Sequence, residues 1–325
     1  MKINKNENIL IVAYKGMVGS AVYRSLKRKG YKNISAIARD DLDLLNQSEV
    51  LLFFKKNSFD KVYICAAKVG GIYSNSQYPA DFICQNIDIQ SNIINACHQS
   101  NVNNIIFLGS SCIYPKEANQ PIIEEALLTG PLEPTNQWYA IAKIAGIKMC
   151  ESYNIQYGRN YRCIMPTNLY GPNDNYHEKN SHVIPSLIRK FYFANKNLKE
   201  SVEIWGTGKP LREFLHVDDM ADASIFISNV SKDNMNAVTK PDLSHINVGT
   251  GLDISIFELA ELIKGVSNFN GDILCNPEKP DGTMRKVLDI SKLVSLGWSP
   301  KISLIDGIKE AYDWFEANYP DVRGS

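Results

Sequence analysis

Tyr139-Ala-Ile-Ala-Lys143 sets a phenol and an ammonium four residues apart on an alanine-rich stretch without proline. Such a stretch is helical, and residues four apart share one helical face. The lysine can then lower the phenol's pKa, so that Tyr139 exchanges a proton with a carbonyl or alcohol oxygen. Upstream, Ile105-Ile-Phe-Leu-Gly-Ser-Ser-Cys112 is a buried-strand pattern ending in hydroxyls and a thiol. If the chain stays extended there, residues 110 and 112 point to one side, and the Cys112 thiol reaches the pocket beside the Ser110 hydroxyl. A thiol so placed can take a proton from carbon, whereas a lone cysteine elsewhere is packing.

Gly16-Met17-Val18-Gly19 follows the first apolar run and opens a helix, so its amides can receive a pyrophosphate. The usual spacing also asks for glycine at 13, where this chain has Ala13. That methyl costs little at negative φ and strains the turn otherwise; the expectation is a modest loss of dinucleotide affinity. The second strand ends at Arg39, and Lys15 projects from the glycine loop towards the same corner. Together they could flank a 2′-phosphate and favour NADP(H). Asp40 offsets their field, and two solvated surface charges is the alternative reading. Asp43 and Leu44 lie where they could line the adenine.

These groups need a scaffold that brings strand ends together. Apolar runs at 9–13, 34–38, 61–66, 104–110 and 161–165 alternate with helical patterns at 17–29, 80–100 and 136–157. Strands alternating with helices of ten or more residues imply a doubly wound parallel sheet, a Rossmann-like α/β fold. After Pro166 the texture changes to proline- and glycine-punctuated segments. The expected organisation is a Rossmann domain over 1–170, rejoined by 216–250, with a smaller α/β lobe from 171–215 and 251–325 over the carboxyl ends of the strands.

The 325 residues carry 35 lysines and arginines against 35 aspartates and glutamates. With no net charge there is no bulk field to attract nucleic acid or an anionic membrane. The longest apolar runs fall far short of a membrane span, and the polar start MKINKNEN is unlike a secretory signal. A cytoplasmic protein is expected. The seven scattered cysteines include no CxxC pair and no zinc spacing with histidine, so no metal site is expected. They read as reduced thiols, all but Cys112 as core filler.

Ser110, Tyr139 and Lys143 in that order resemble the catalytic triad of extended short-chain dehydrogenase/reductases. Further, GSSCIYP, EPTNxxYAIAKIAGIK, PTNLYGP, NSHVIP, REFLHVDDM and INVGTG, spread over nearly the whole chain, closely resemble the GDP-L-fucose synthase family. The resemblance implies conversion of GDP-4-keto-6-deoxy-D-mannose to GDP-L-fucose by epimerisation at C3 and C5 and NADPH-dependent reduction at C4. It makes Ser110, Tyr139 and Lys143 the reductase triad, and Cys112 and His182 the epimerase base and acid, His182 also lying beside the cofactor. Lys15 and Arg39 match positions near the NADP phosphate. Asn168, Val183, Leu187, Lys190, Trp205, Arg212 and Lys286 match positions around the GDP-sugar. By themselves His182 reads as a hydrogen-bonded or surface histidine, Trp205 as lobe core and Arg212 as a salt-bridge partner. By analogy, the long helices near 80–100 and 137–157 imply a homodimer.

The sequence departs from the family pattern at several places. Lys190 stands where arginine is common, replacing a bidentate phosphate contact by a point charge. Gln137-Trp138 precedes Tyr139, Glu178-Lys179 precedes the histidine motif, and Met284 replaces a proline before Lys286. These leave the reaction type intact and the exact sugar open. The rival readings are a C4-reductase of a related GDP-4-keto sugar, for example a heptose, and a non-catalytic NADP-binding scaffold.

Overall fold

A computed structural model describes residues 4–178, 180–279 and 281–325. The first half runs β1 (Asn8–Val12), α1 (Met17–Arg28), β2 (Asn33–Ile37), α2 (Gln47–Lys56), β3 (Lys61–Ile64), α3 (Ile72–Gln77), α4 (Pro79–Gln99), β4 (Asn104–Leu108), α5 (Gln137–Tyr157) and β5 (Asn160–Pro166). The second half runs β6 (Asn168–Tyr170), α6 (Val183–Lys196), β7 (Ser201–Trp205), β8 (Leu211–His216), α7 (Val217–Asn229), α8 (Lys232–Val238), β9 (Ile246–Val248), β10 (Asp253–Ser255) and α9 (Ile256–Ser267). It closes with β11 (Asp272–Asn276), β12 (Arg285–Lys286), α10 (Ser291–Ser295) and α11 (Leu304–Asn318).

Six strands form one parallel sheet in the order β2-β1-β3-β4-β5-β9. Each central strand is apolar throughout because both faces are covered. Val12, Ile64, Ile105 and Phe107 pack beneath the helices on one face, and Ile9, Ile11, Tyr63 and Ile106 pack with residues of α1 and α7 on the other. The chain leaves β1 for β2 on one side and later reaches β3 on the other. That reversal opens a crevice at the carboxyl ends of the strands, where open sheets bind ligands.

A separate core joins α6, α9 and α11 with β7 and β8 around Phe191, Leu259, Ile308 and Phe315. It supports small sheets in which β8 pairs with β6, β10 and β12. Asn168 of β6 lies two residues beyond β5, so this region is tied directly to the ligand edge of the large sheet. The termini of β2, β3 and β4 fall one or two residues short of the apolar runs, because the last residues of each run turn into the loops that build the site. Ala38, for instance, accepts Asp41's backbone N–H through its carbonyl.

Candidate active site

The turn after β1 is closed by hydrogen bonds. Gly16 N–H donates to the Ala13 carbonyl at 3.1 Å, while Ala13 and Tyr14 donate to the Ile37 carbonyl at the end of β2. Ala13 has φ +68°, so the left-handed condition holds and its methyl is strained. Gly19 presses so close that an added Cβ would lie 2.2 Å from the Ala13 carbonyl oxygen. Gly16 caps α1 without a side-chain hydrogen bond, and no acidic residue occupies the first helical turn. The open amides, the missing Cβ atoms and the adjoining cleft fit a dinucleotide pyrophosphate.

At the outer corner Lys15 Nζ is 3.3 Å from Asp40, both largely exposed. This contact raises the lysine's pKa, the hydrogen bond to Asp40 being the main cause. Arg39 is exposed and has no ion pair among the described residues. Asp43 accepts the Leu45 N–H, and Leu44 packs partly buried against the sheet core.

The crevice is a cleft of about 390 Å³. Ala13, Met17, Val18 and Gly19 line its cofactor end, Ser110, Cys112, Tyr139 and Lys143 its floor, and Asn168, His182 and Lys286 its far wall. The extended geometry expected after β4 does not continue. Ser110 has extended φ and ψ but caps a 3₁₀ turn over Ser111–Ile113, accepting the Cys112 N–H through Oγ at 3.4 Å. The turn, rather than strand alternation, carries Cys112 into the cleft while sending Ile113 into the core. Burial pushes the Cys112 thiol up, opposed by Lys286, by a hydrogen bond from Ser110 and by Lys143.

Lys143 is 3% exposed and donates to the Leu108 carbonyl at 2.8 Å. Burial lowers its pKa to about 8, with the neighbouring cysteines pulling the other way. Its Nζ lies 5.8 Å from the Tyr139 ring centroid. The expected lowering of the phenol's pKa by this lysine is reversed here: burial drives Tyr139 upward, and the ammonium points to the Leu108 carbonyl. Removing the phenol from water costs the phenolate more than a distant ammonium returns.

His182 caps α6 from the cleft side. It is reachable by solvent yet surrounded by protein, so burial and then the Arg323 charge lower its pKa. Val183 opens α6 at the edge of the lobe core, and Leu187 is buried within that core at 3% exposure. Lys190 and Trp205 lie farther out: Lys190 donates to the Glu203 carbonyl, and Lys190 and Lys279 approach the exposed Trp205 ring at 5.9 and 5.7 Å. The reading of Trp205 as lobe core therefore does not hold. Arg212 pairs in register with Lys286 and donates to its neighbour's carbonyl, Leu211, so the two cations form a row from the cleft outward. Lys179, beside the histidine motif, lies outside the described residues.

Residues missed from sequence also line the cleft: Cys65, Asn136, Asp174, Asn175, Asn180 and Arg323. Asp174 and Asn175 lie two and three residues past the PTNLYGP motif, which could have flagged them; Arg323 has no local signal. The expectation that six cysteines are core filler also needs correction. Cys97, Cys150 and Cys163 are buried, but Cys84 and Cys275 are exposed and Cys65 lines the cleft. Among the described residues no group of three His, Cys, Asp or Glu side chains could hold a metal ion.

A glycine turn on a parallel sheet, with serine, tyrosine and lysine at the ligand edge, defines a Rossmann-type enzyme acting on carbonyl and alcohol carbons. The chain belongs to the NAD dependent epimerase/dehydratase family, whose pattern matches residues 9–249. It is 54% identical to GDP-L-fucose synthase of Escherichia coli (strain K12) over 98% of this chain and 99% of that protein. It is 51% identical to GDP-L-fucose synthase 1 of Arabidopsis thaliana, covering 97% and 95% of the two chains. Among solved structures, MlghC, a GDP-mannoheptose C4 reductase from Campylobacter jejuni with NADP bound, is 40% identical with a TM-score of 0.89, covering 97% and 99%.

Proposed function

We propose that this protein converts GDP-4-keto-6-deoxy-D-mannose to GDP-L-fucose with NADPH. One observation carries the reading: a thiol (Cys112), a phenol (Tyr139) and an imidazole (His182) line the same cleft, beside the turn that fits a dinucleotide. The C4 ketone acidifies the hydrogens at C3 and C5, since either carbanion delocalises into an enolate. Cys112, as thiolate, takes the proton from carbon, and Lys286 and Lys143 favour that charge against burial. Protonated His182 returns a proton from the opposite face, leaving inverted carbon, neutral imidazole and thiol, which exchange protons with solvent before the second carbon is inverted. Ser110 and Tyr139 hold the enolate oxygen. NADPH supplies the hydride for C4. Tyr139 gives its proton to the C4 oxygen, and Lys143 supplies the positive charge that compensates the resulting phenolate.

Arg39 and Lys15 are assigned to the 2′-phosphate, with Asp43 and Leu44 towards the adenine. The Lys286–Arg212 row leads to the diphosphate, Lys190 adds a point charge, and Trp205 offers an open ring for the base. Asn168 faces the sugar, and Val183 and Leu187 support the wall behind it. We further assign the protein to the cytoplasm, which the seven free cysteines suit. We also infer a homodimer through α4 and α5, where Trp138, Ile141, Ile155 and Tyr157 of α5 are exposed. Among the described residues no helix is long and apolar enough to cross a membrane.

The test is product analysis by NMR after adding GDP-4-keto-6-deoxymannose and NADPH in D₂O. Deuterium at C3 and C5 with reduction at C4 is expected; reduction without deuterium at either carbon overturns the epimerase. In Cys112→Ser, wash-in is lost while hydride transfer persists. A parallel sample with the 6-deoxyheptose counterpart separates the rival suggested by the heptose reductase's similarity, and faster turnover there would favour it.

A further inference from the structure

The carboxyl-terminal tail is built into the wall that carries His182. After α11, the Arg323 carbonyl accepts the Tyr176 N–H at 2.8 Å, and Val322 is buried in the lobe core. Gly324 has φ +83°, and a Cβ there would meet Asn175 Oδ1 at 2.4 Å and the His177 backbone nitrogen at 2.5 Å. Arg189 clamps the same segment by donating to the Tyr176 carbonyl. The tail thus brings Arg323 to the cleft that Asp174 and His182 also line, near enough for its charge to act on both.

Asp174 is the second observation. It is 5% exposed and lines the cleft; one carboxyl oxygen accepts the Asn175 N–H at 2.7 Å, while the other, Oδ2, is buried with no hydrogen-bond partner. A lone buried carboxylate beside a sugar site is costly unless a cation offsets it. Arg323 is the cation acting on it. We propose that Arg323 and Asp174 are positioning residues of the epimerase step, a tail-borne charge couple that holds the wall carrying Asn175 and His182 and drives the His182 proton towards the sugar. This rests on the epimerase reading above.

Electrostatics agrees with the placement. Burial pushes Asp174 up to about 7, with the Asn175 N–H and Arg323 acting against it. Arg323 also lowers His182, making its protonated form the stronger acid. The other ionisable groups lining the cleft are Cys65, Cys112, Tyr139, Lys143 and Lys286. They are common to every variant considered, so a change confined to Arg323 reports on the two groups it acts on, His182 and Asp174.

The experiment compares Arg323→Gln, Arg323→Lys and Asp174→Asn in the full-length protein. Wash-in at C3 and C5 is followed against pH, and hydride transfer is read separately as NADP⁺ reduction by GDP-L-fucose, which requires no epimerisation. Side-chain changes at 323 keep the main-chain bond to Tyr176, and NADPH titration verifies folding. In Arg323→Gln, wash-in is expected to fall at least fivefold more than hydride transfer. The acid-side break of its pH profile, which His182 sets because the imidazole titrates below the Cys112 thiol, moves up by on the order of one pH unit once the positive neighbour is gone. Arg323→Lys restores both. Should Arg323→Gln fail to fold, Asp174→Asn carries the test: above pH 7, where the carboxyl is ionised, removing the anion that offsets Arg323 lowers wash-in while hydride transfer persists. Equal losses in both assays with an unmoved break, no rescue by lysine, or unchanged wash-in above pH 7 in Asp174→Asn overturns the proposal. Absence of wash-in from the unmodified protein would instead overturn the epimerase assignment itself.

Discussion

Gly19→Ala asks whether the turn before α1 is a close-packed cradle. The added methyl would lie 2.2 Å from the Ala13 carbonyl oxygen, 2.8 Å from its carbonyl carbon and 2.9 Å from the Tyr14 Cα. All three are backbone atoms, so no rotamer change relieves the overlap. Turn and helix must part by about an ångström before ordinary contact is restored. Overpacking of this kind costs roughly 1–3 kcal/mol. The displaced atoms also shape the pyrophosphate site, so NADPH affinity should fall roughly ten- to hundredfold, at about 1.4 kcal/mol per factor of ten. Gly16→Ala is the internal control for folding. Its methyl would sit 3.4 Å from the same carbonyl oxygen, and Gly16 has φ −76°, open to any residue. Its unfolding free energy should therefore stay within about 0.5 kcal/mol of the unmodified protein. Urea unfolding and NADPH fluorescence titration on both variants decide the matter. Gly19→Ala unfolding and binding like the parent, or Gly16→Ala being equally unstable, would refute the steric argument.

Three further outcomes follow from the same geometry. Lys143 is depressed to about 8 from 10.5, so its charged form opposes folding below pH 8 and the penalty fades as pH rises towards 10.5. Lys143→Met should remove about 3 kcal/mol of that penalty at pH 7, less the lost bond to Leu108. Melting temperature then rises at pH 7, with a smaller gain at pH 10, while turnover collapses; a lower melting temperature at pH 7 would contradict this. Ala13→Gly relieves a left-handed alanine worth about 1 kcal/mol and should tighten NADPH up to about fivefold by titration, an unchanged dissociation constant removing the idea. Asp40→Asn frees Lys15 from an exposed, solvent-screened pair that offsets its charge. NADPH should bind severalfold tighter at low salt with NADH unaffected, and equal effects on both would count against a 2′-phosphate at that corner.

Short-range features of the chain were legible without coordinates. A glycine turn after five apolar residues, a phenol and an ammonium four apart, and hydroxyls closing a buried strand are local patterns, because helix and strand periodicities are local. The strand–helix alternation likewise implied a parallel sheet with its ligand edge at the strand ends. Tertiary structure alone decided the electrical character of the cleft. Lys143 is depressed by burial that no local spacing encodes, and Tyr139 is raised for the same reason. Cys112 turns inward through a 3₁₀ turn and meets Lys286, 174 residues later in the numbering. Asp174 and Arg323 meet only because the tail returns across the His182 wall. Desolvation and long-range pairing depend on which distant segments converge, and that is settled when the sheet, the lobe and the tail pack together.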